Sequence, residues 1–431
     1  MEDKLDIVIW GATGFTGRLA TAYLAGAAGE FHSFTLAAPA APRTLRWAIA
    51  GRNRAKLEGL VASFGLPESV EIIVAEASDA VAIDAFVRRT RVVCALAGPF
   101  VKYTDRVLAA CAKHGTHFVD CTGETAWVRS AIDRFDDRAQ ATGACIVNFC
   151  GYDSIPSDLG AFVAINALRA KLRPGAAVKS VTTYQAMFGG GGFSGGSVAT
   201  GMSSHLVRLT QGVDPAHPFL LGGERAAGVR DEDASPSTAV HCADIGAWTA
   251  PFGMESINSR VVRRSCALLS YGSEFTYREV AVAPSEKHAR KAAARHANPV
   301  PPAKLLQMIE AGRLPSPGEG PPAAVRAACR FATIAIAKSA TGEQASVVVS
   351  GGEAGYEETA KMAVESALAL ALTPEGCPGV RGGFATPAAA LGSTLVDRLR
   401  AAGIAFDVVD DPKRALRTHA ARAAAAKASR L

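Results

Sequence analysis

An apolar, β-branched run, DIVIW, breaks at position 11 into GATGFTG and then continues as a helix-compatible stretch. The three glycines restrict what such a chain can become. Gly11 permits a tight turn, Gly14 lets backbone N–H groups approach an anion, and Gly17 lets the helix lie close against the strand. A helix opening on this turn offers free N–H donors and the positive end of its dipole, the arrangement that holds a dinucleotide pyrophosphate. The spacing is G-x-x-G-x-x-G. Thr13, Phe15 and Thr16 belong to the same turn, so Gly11, Thr13, Gly14, Phe15, Thr16 and Gly17 are the expected pyrophosphate-binding set.

The first third of the chain repeats this strand-then-helix grammar. Strands are expected at 5–10, 46–50, 70–75, 91–97, 116–120 and 144–149, with helices at 14–24, 54–64, 79–89, 104–114 and 125–142 between them. Such alternation makes an α/β fold with a Rossmann-like, doubly wound parallel sheet. Residues 26–45 delay the second strand and read as an inserted loop. After Cys150 the pattern changes to a second domain of α+β type, with strands expected at 178–185, 256–258, 274–283, 331–337 and 345–350, and a helix at 197–209 following a Gly-rich run. The expected units are a nucleotide-binding domain over 1–153, a substrate domain over 154–354, C-terminal helices packing back on the core over 355–411, and a basic flexible tail over 412–431.

The end of the second strand decides which dinucleotide fits. An acid there would bond the ribose 2′-hydroxyl of NAD, and an arginine suits the 2′-phosphate of NADP. The sequence is WAIAGRNRAKLE, with no acid after the strand and Arg52 and Asn53 directly behind Gly51, so NADP is the expected cofactor. Asp79 is placed to contact the adenine or to cap the next helix, and Gly98 and Pro99 to approach the nicotinamide. None of the seven tyrosines is followed four residues later by lysine, so the proton relay of short-chain dehydrogenases is missing.

Charge narrows the partners. The formal net charge is +6, but residues 412–431 carry Lys413, Arg414, Arg417, Arg422, Lys427 and Arg430 with no acid, and the rest of the chain balances. That body is not built to hold nucleic acid. Nine cysteines with no C-x-x-C pair argue for a reducing compartment and no metal site. No stretch reads as a transmembrane span, although peripheral contact with lipid is compatible with the sequence. The final Ser429-Arg430-Leu431 is a close variant of a peroxisomal address, which implies an import receptor and a peroxisomal or related organelle in a eukaryotic source, and the cytoplasm otherwise. A homodimer is compatible with all of this.

GATGFTGRLA, WAIAGRNRAKLE, ALAGPF, CTGETAWVRSAIDRF and GYDSIPSDLG resemble the saccharopine dehydrogenase-like oxidoreductases, which include the trans-acting enoyl reductases of lipid synthesis. The likeness is specific over residues 6–161, looser through the Gly-rich middle, and returns in GGFATPAAALGSTLVDRLRAAGI. It implies a Rossmann domain binding NADP, interrupted by a substrate domain, and a hydride transfer. A proton must reach the atom next to the one that takes the hydride, and Tyr103, Glu124 and Asp153, at the carboxyl ends of strands, are the candidate donors. Each has a bland alternative: Glu124 can cap a helix, and Asp153 can sit in a rigid turn. The cation-poor Gly-rich region favours an apolar, lipid-derived, enoyl-type substrate over an amino diacid. The competing readings are a non-catalytic NADP-binding redox sensor or scaffold, and a saccharopine-type amino acid dehydrogenase.

Overall fold

The computed structural model describes residues 4–26, 45–173, 177–189, 192, 194–197, 199, 214, 216–224, 228–316 and 318–428. The expected inserted loop, most of the expected 197–209 helix and the final tripeptide lie outside the described residues.

Strand β1 (Leu5–Trp10) is buried along its whole length. Ile7 and Ile9 face one core while Val8 and Trp10 face another, as the two-residue period of a strand buried on both sides requires. Around it lie β2 (Trp47–Gly51), β3 (Glu71–Val74), β4 (Thr90–Ala95), β5 (His117–Asp120) and β6 (Cys145–Val147), all parallel. The order β3-β2-β1-β4-β5-β6 reverses direction between β1 and β4, and a crevice opens at the carboxyl ends of the strands there.

A second seven-stranded sheet is mixed. Its members are β7 (Val178–Phe188), β8 (Val240–Cys242), β9 (Ala247–Pro251), β10 (Thr276–Ala283), β11 (Arg330–Ser339) and β12 (Gln344–Gly351), with β14 (Ala405–Val409) at one edge. Helix Ile155–Arg169 leads from the first sheet onto the face formed by β11, β12 and β7. Gly160 permits the close approach, since a Cβ there would lie 3.2 Å from a Val349 methyl.

Three expectations need correction. Residues 256–258 are not a strand but open the helix Glu255–Leu269, whose buried positions Asn258, Val261, Val262 and Ser265 recur at helical spacing. The segment 412–431 is not a free tail throughout: Pro412–Ala428 is helical, started by Asp411, whose Oδ1 accepts the Arg414 N–H at 3.0 Å. Its Ala415 and Leu416 pack under the second sheet with Ile334, Ile336 and Val348, leaving Lys413, Arg414 and Arg417 exposed. Residues 355–411 divide between the two sheets. Strand β13 (Gly383–Ala385) pairs parallel with β6, β14 pairs with β12, and the helix Thr359–Leu372, buried along nearly its whole length, packs across β4, β5 and β1. Among the described residues no helix is long and apolar enough to cross a membrane.

Candidate active site

At the crevice, Gly11 has φ +83°, and a Cβ there would come within 2.9 Å of the Ala97 backbone. A Cβ on Gly17 would lie 2.1 Å from the Gly11 carbonyl oxygen, so this position admits no side chain. Helix Phe15–Ala25 begins after an extended Gly14 with no side-chain cap and no acid in its first turn. Its leading N–H groups have no acceptor within the helix and its dipole end is left positive. This cradle fits a pyrophosphate.

The turn borders a cleft of about 1150 Å³ that runs between the two sheets. Gly98 and Pro99 line it beyond β4, and Arg52 lines it beyond β2. The Arg52 guanidinium carbon lies 6.0 Å from the centre of the Tyr103 ring, with Lys102 Nζ 5.0 Å from the same ring. Tyr103 thus lines the cleft beside the cationic group expected to meet the adenosine end, and its backbone carbonyl accepts from Trp10 Nε1 at 3.0 Å. Asn53 and Asp79 are absent from the lining. Asn53 Oδ1 accepts the Lys56 N–H at 3.0 Å and Asp79 Oδ1 accepts those of Val81 and Ala82 at 3.0 Å, so each is committed to capping its helix. Glu76, missed in the sequence, is the acid that reaches the cleft from the end of β3.

Glu124 is also displaced from its expected role. Its two carboxylate oxygens accept the Phe100 N–H at 2.8 Å and the Val101 N–H at 3.0 Å, and the group is buried away from the cleft lining. Burial raises its carboxyl above the ordinary value, and those two N–H bonds oppose the shift. Asp153 does line the cleft, on the loop after β6, and burial pushes its carboxyl up to about 6. The adjacent Tyr152 is held by its N–H to Thr359 Oγ1 at 3.0 Å and by its hydroxyl to Gln185 Oε1 at 3.4 Å.

Sequence reading missed the opposite wall. Glu353 accepts the N–H groups of Gly355, Tyr356 and Glu357 at 2.9 Å each, folding a wide turn over Ala354–Glu358 that carries Tyr356 into the cleft. The Tyr356 hydroxyl meets Ser197 Oγ at 3.1 Å and the Ser194 N–H. The glycine pair at the end of β12, Gly351-Gly352, marks a turn in the sequence but not what packs against it. The remaining wall is apolar, from Met187, Phe252, Met254 and Ile257.

A sequence model of the saccharopine dehydrogenase NADP binding domain matches residues 7–147. Over 438 residues the chain is 32% identical to a protein of Mycobacterium tuberculosis (strain ATCC 25618 / H37Rv) named trans-acting enoyl reductase, with 94% of this chain and 97% of that protein covered. A Mycobacterium leprae (strain TN) protein of the same name is 31% identical over 431 residues, with 93% and 97% covered. Among solved structures, the apo histidine-tagged saccharopine dehydrogenase (L-Glu forming) of Saccharomyces cerevisiae aligns at a TM-score of 0.50 over 94% of this chain and 99% of that one. Its 13% sequence identity makes this a likeness of fold alone.

Proposed function

The chain belongs to the saccharopine dehydrogenase-like oxidoreductases, the family that includes the trans-acting enoyl reductases, and from that premise we propose that it reduces an unsaturated, enoyl-type, lipid-derived substrate. The chain is an NADP-dependent oxidoreductase.

The polarity of the cleft supports an enoyl-type substrate. Among the described lining residues the only cations are Arg52 and Arg330, while Glu76, Asp153 and Glu353 are acidic. Arg330 is turned onto the carbonyl oxygens of Ala327 and Cys329, at 3.1 and 2.6 Å. An amino diacid would need guanidinium or ammonium partners for each carboxylate, and would instead face carboxyl groups. A neutral acyl chain would find Met187, Phe252, Met254 and Ile257.

In this reading the uncapped start of helix Phe15–Ala25 holds the pyrophosphate and Arg52 holds the 2′-phosphate. When bound, NADPH supplies the hydride that one carbon of the C=C bond receives. Asp153 delivers the proton to the neighbouring carbon: burial holds its carboxyl up to about 6, and Glu353, the other lining acid that burial raises, is engaged by three backbone N–H groups. The apolar wall excludes water from the reacting carbons. The test is isotopic: with NADPH deuterated at the transferred position and a trans-2-enoyl thioester in ordinary water, the product gains one deuterium, at C3. In D2O with ordinary NADPH it gains one at C2. Label in neither position contradicts the reading.

A further inference from the structure

We propose that Asp120 and Glu124, at the two ends of the loop after β5, are positioning residues that brace opposite walls of the cleft and do not act on substrate. The proposal rests on the cleft assigned above and adds what holds its reacting geometry in place.

The loop runs Asp120-Cys121-Thr122-Gly123-Glu124, and its two carboxylates reach sideways in opposite directions. Asp120 reaches toward β6. Its Oδ1 accepts the Phe149 N–H at 3.1 Å and the Thr122 N–H at 3.1 Å, and its Oδ2 accepts from Asn148 Nδ2 at 2.7 Å. Its backbone carbonyl also accepts the Cys150 N–H at 2.7 Å. Glu124 reaches toward β4 and takes the Phe100 and Val101 N–H groups at 2.8 and 3.0 Å. Both carboxylates are buried and neither lines the cleft: Glu124 faces backbone N–H groups, and Asp120 faces backbone N–H groups and the Asn148 amide.

Each grip falls just before a segment that lines the cleft. Phe149 has φ +68°, a conformation that costs energy for a residue with a Cβ and persists only where its surroundings impose it. The bend turns the chain so that Gly151 passes against Cys121, where a Cβ on Gly151 would come within 2.9 Å of the Cys121 Cβ. Two residues further on is Asp153. On the other side, Phe100 and Val101 follow Pro99 and precede Tyr103, beside Arg52. A shift in the Asp120 grip would move Asp153, and a shift in the Glu124 grip would move the Gly98–Tyr103 wall.

Hydrogen-bond acceptance, not charge, carries this role for Asp120. A carboxamide at 120 keeps one oxygen for the Thr122 and Phe149 N–H groups, and Asn148 can rotate its amide to accept from the new NH2. Alanine removes all three side-chain bonds.

The test uses the full chain and two independent readouts. Amide hydrogen exchange, which needs no substrate, should rise about tenfold or more over 148–154 in Asp120→Ala with 98–103 unchanged, and the reverse in Glu124→Ala. Asp120→Asn should return 148–154 to within about threefold of wild type. For turnover of a trans-2-decenoyl thioester, Asp120→Ala should lower kcat about tenfold while the Kd for NADPH moves less than about threefold, and Asp120→Asn should restore kcat. If Asp120→Ala fails to fold, Asn148→Ala removes one donor and should show the same exchange pattern more weakly. Asp120→Asn as damaging as alanine in either readout would overturn the proposal, as would exchange rising equally over both segments. If wild type does not turn over the thioester, the enoyl assignment fails and the exchange pattern still decides the bracing role.

Discussion

Phe15 and Tyr356 meet edge to face with ring centroids 5.0 Å apart and ring planes at 87°. The first belongs to the nucleotide turn and the second to a turn that follows the last long strand of the second sheet. The same Phe15 ring lies under Gly320, where a Cβ would come within 2.5 Å of it, and beside the Arg326 guanidinium carbon at 5.5 Å. Pyrophosphate cradle and substrate wall are thus joined by one side chain. Phe15→Ala should cost about 1–3 kcal/mol of stability, below the value for a fully buried Phe because the ring is half-buried, and should weaken NADPH roughly tenfold. Thermal unfolding and fluorescence titration measure the two. Unchanged NADPH affinity would show that the contact supports only the fold.

Arg52 is exposed to the cleft with Tyr103 beside it. Loss of a charge-assisted, forked contact to a 2′-phosphate is worth about 1.5–3 kcal/mol. Arg52→Ala should therefore raise the Kd for NADPH about 10- to 100-fold and leave that for NADH within about threefold. Equal losses for both would remove the 2′-phosphate assignment.

Asp153 carries a carboxyl held up to about 6 by burial. Its proton-donating form is populated below that value and falls tenfold per pH unit above it. The kcat/KM for reduction should decline with that slope above about pH 6, and Asp153→Asn should lower the rate and abolish the decline. A pH profile that keeps its alkaline limb in Asp153→Asn would assign the proton to another group.

Glu279 sits wholly inside the second sheet, accepting from Ser157 Oγ at 2.7 Å and Asn258 Nδ2 at 3.2 Å, and burial raises its carboxyl from 4.5 to about 7. The folded state thus holds a proton that the unfolded state releases above about pH 4.5. The stabilisation this proton provides is complete below that pH and is lost as pH rises through about 7. Asp120 and Asp158, also raised to about 7, act in the same sense. Between pH 5 and 7 the unfolding free energy of Glu279→Gln should decline less steeply than that of wild type, by up to about 1.4 kcal/mol per pH unit. Parallel slopes in urea titrations would contradict the linkage.

The nucleotide half was legible because its strands are apolar runs punctuated by glycine, and each observed strand from β1 to β6 overlaps its expected position within a few residues. Strand β13 was not legible, since three residues, Gly-Phe-Ala, become a strand only through pairing with β6. Helix Glu255–Leu269 was misread at its start because Ser256, Ile257 and Asn258 imitate a strand locally while the period extends to Ser265. In the site, Arg52 and Asp153 could be placed from the ends of strands. The direction of a carboxylate could not: Glu124 and Asp153 look equivalent in sequence, and only the tertiary fold turns one onto the Phe100 and Val101 backbone and leaves the other on the cleft. Tyr356 was out of reach because what brings it to Phe15 is packing between distant segments.

The most direct test of enoyl reduction at this cleft is NADPH oxidation by the purified full chain against a panel of trans-2-enoyl thioesters of increasing chain length, with unsaturated lipids and, for the reverse chemistry, saccharopine with NADP. Expected is stoichiometric conversion of NADPH and enoyl thioester to NADP and the saturated thioester, faster with longer chains, and no turnover of saccharopine. Tight NADPH binding with no turnover on any member of the panel would contradict it and favour a redox sensor, and turnover of saccharopine alone would assign the cleft to an amino diacid.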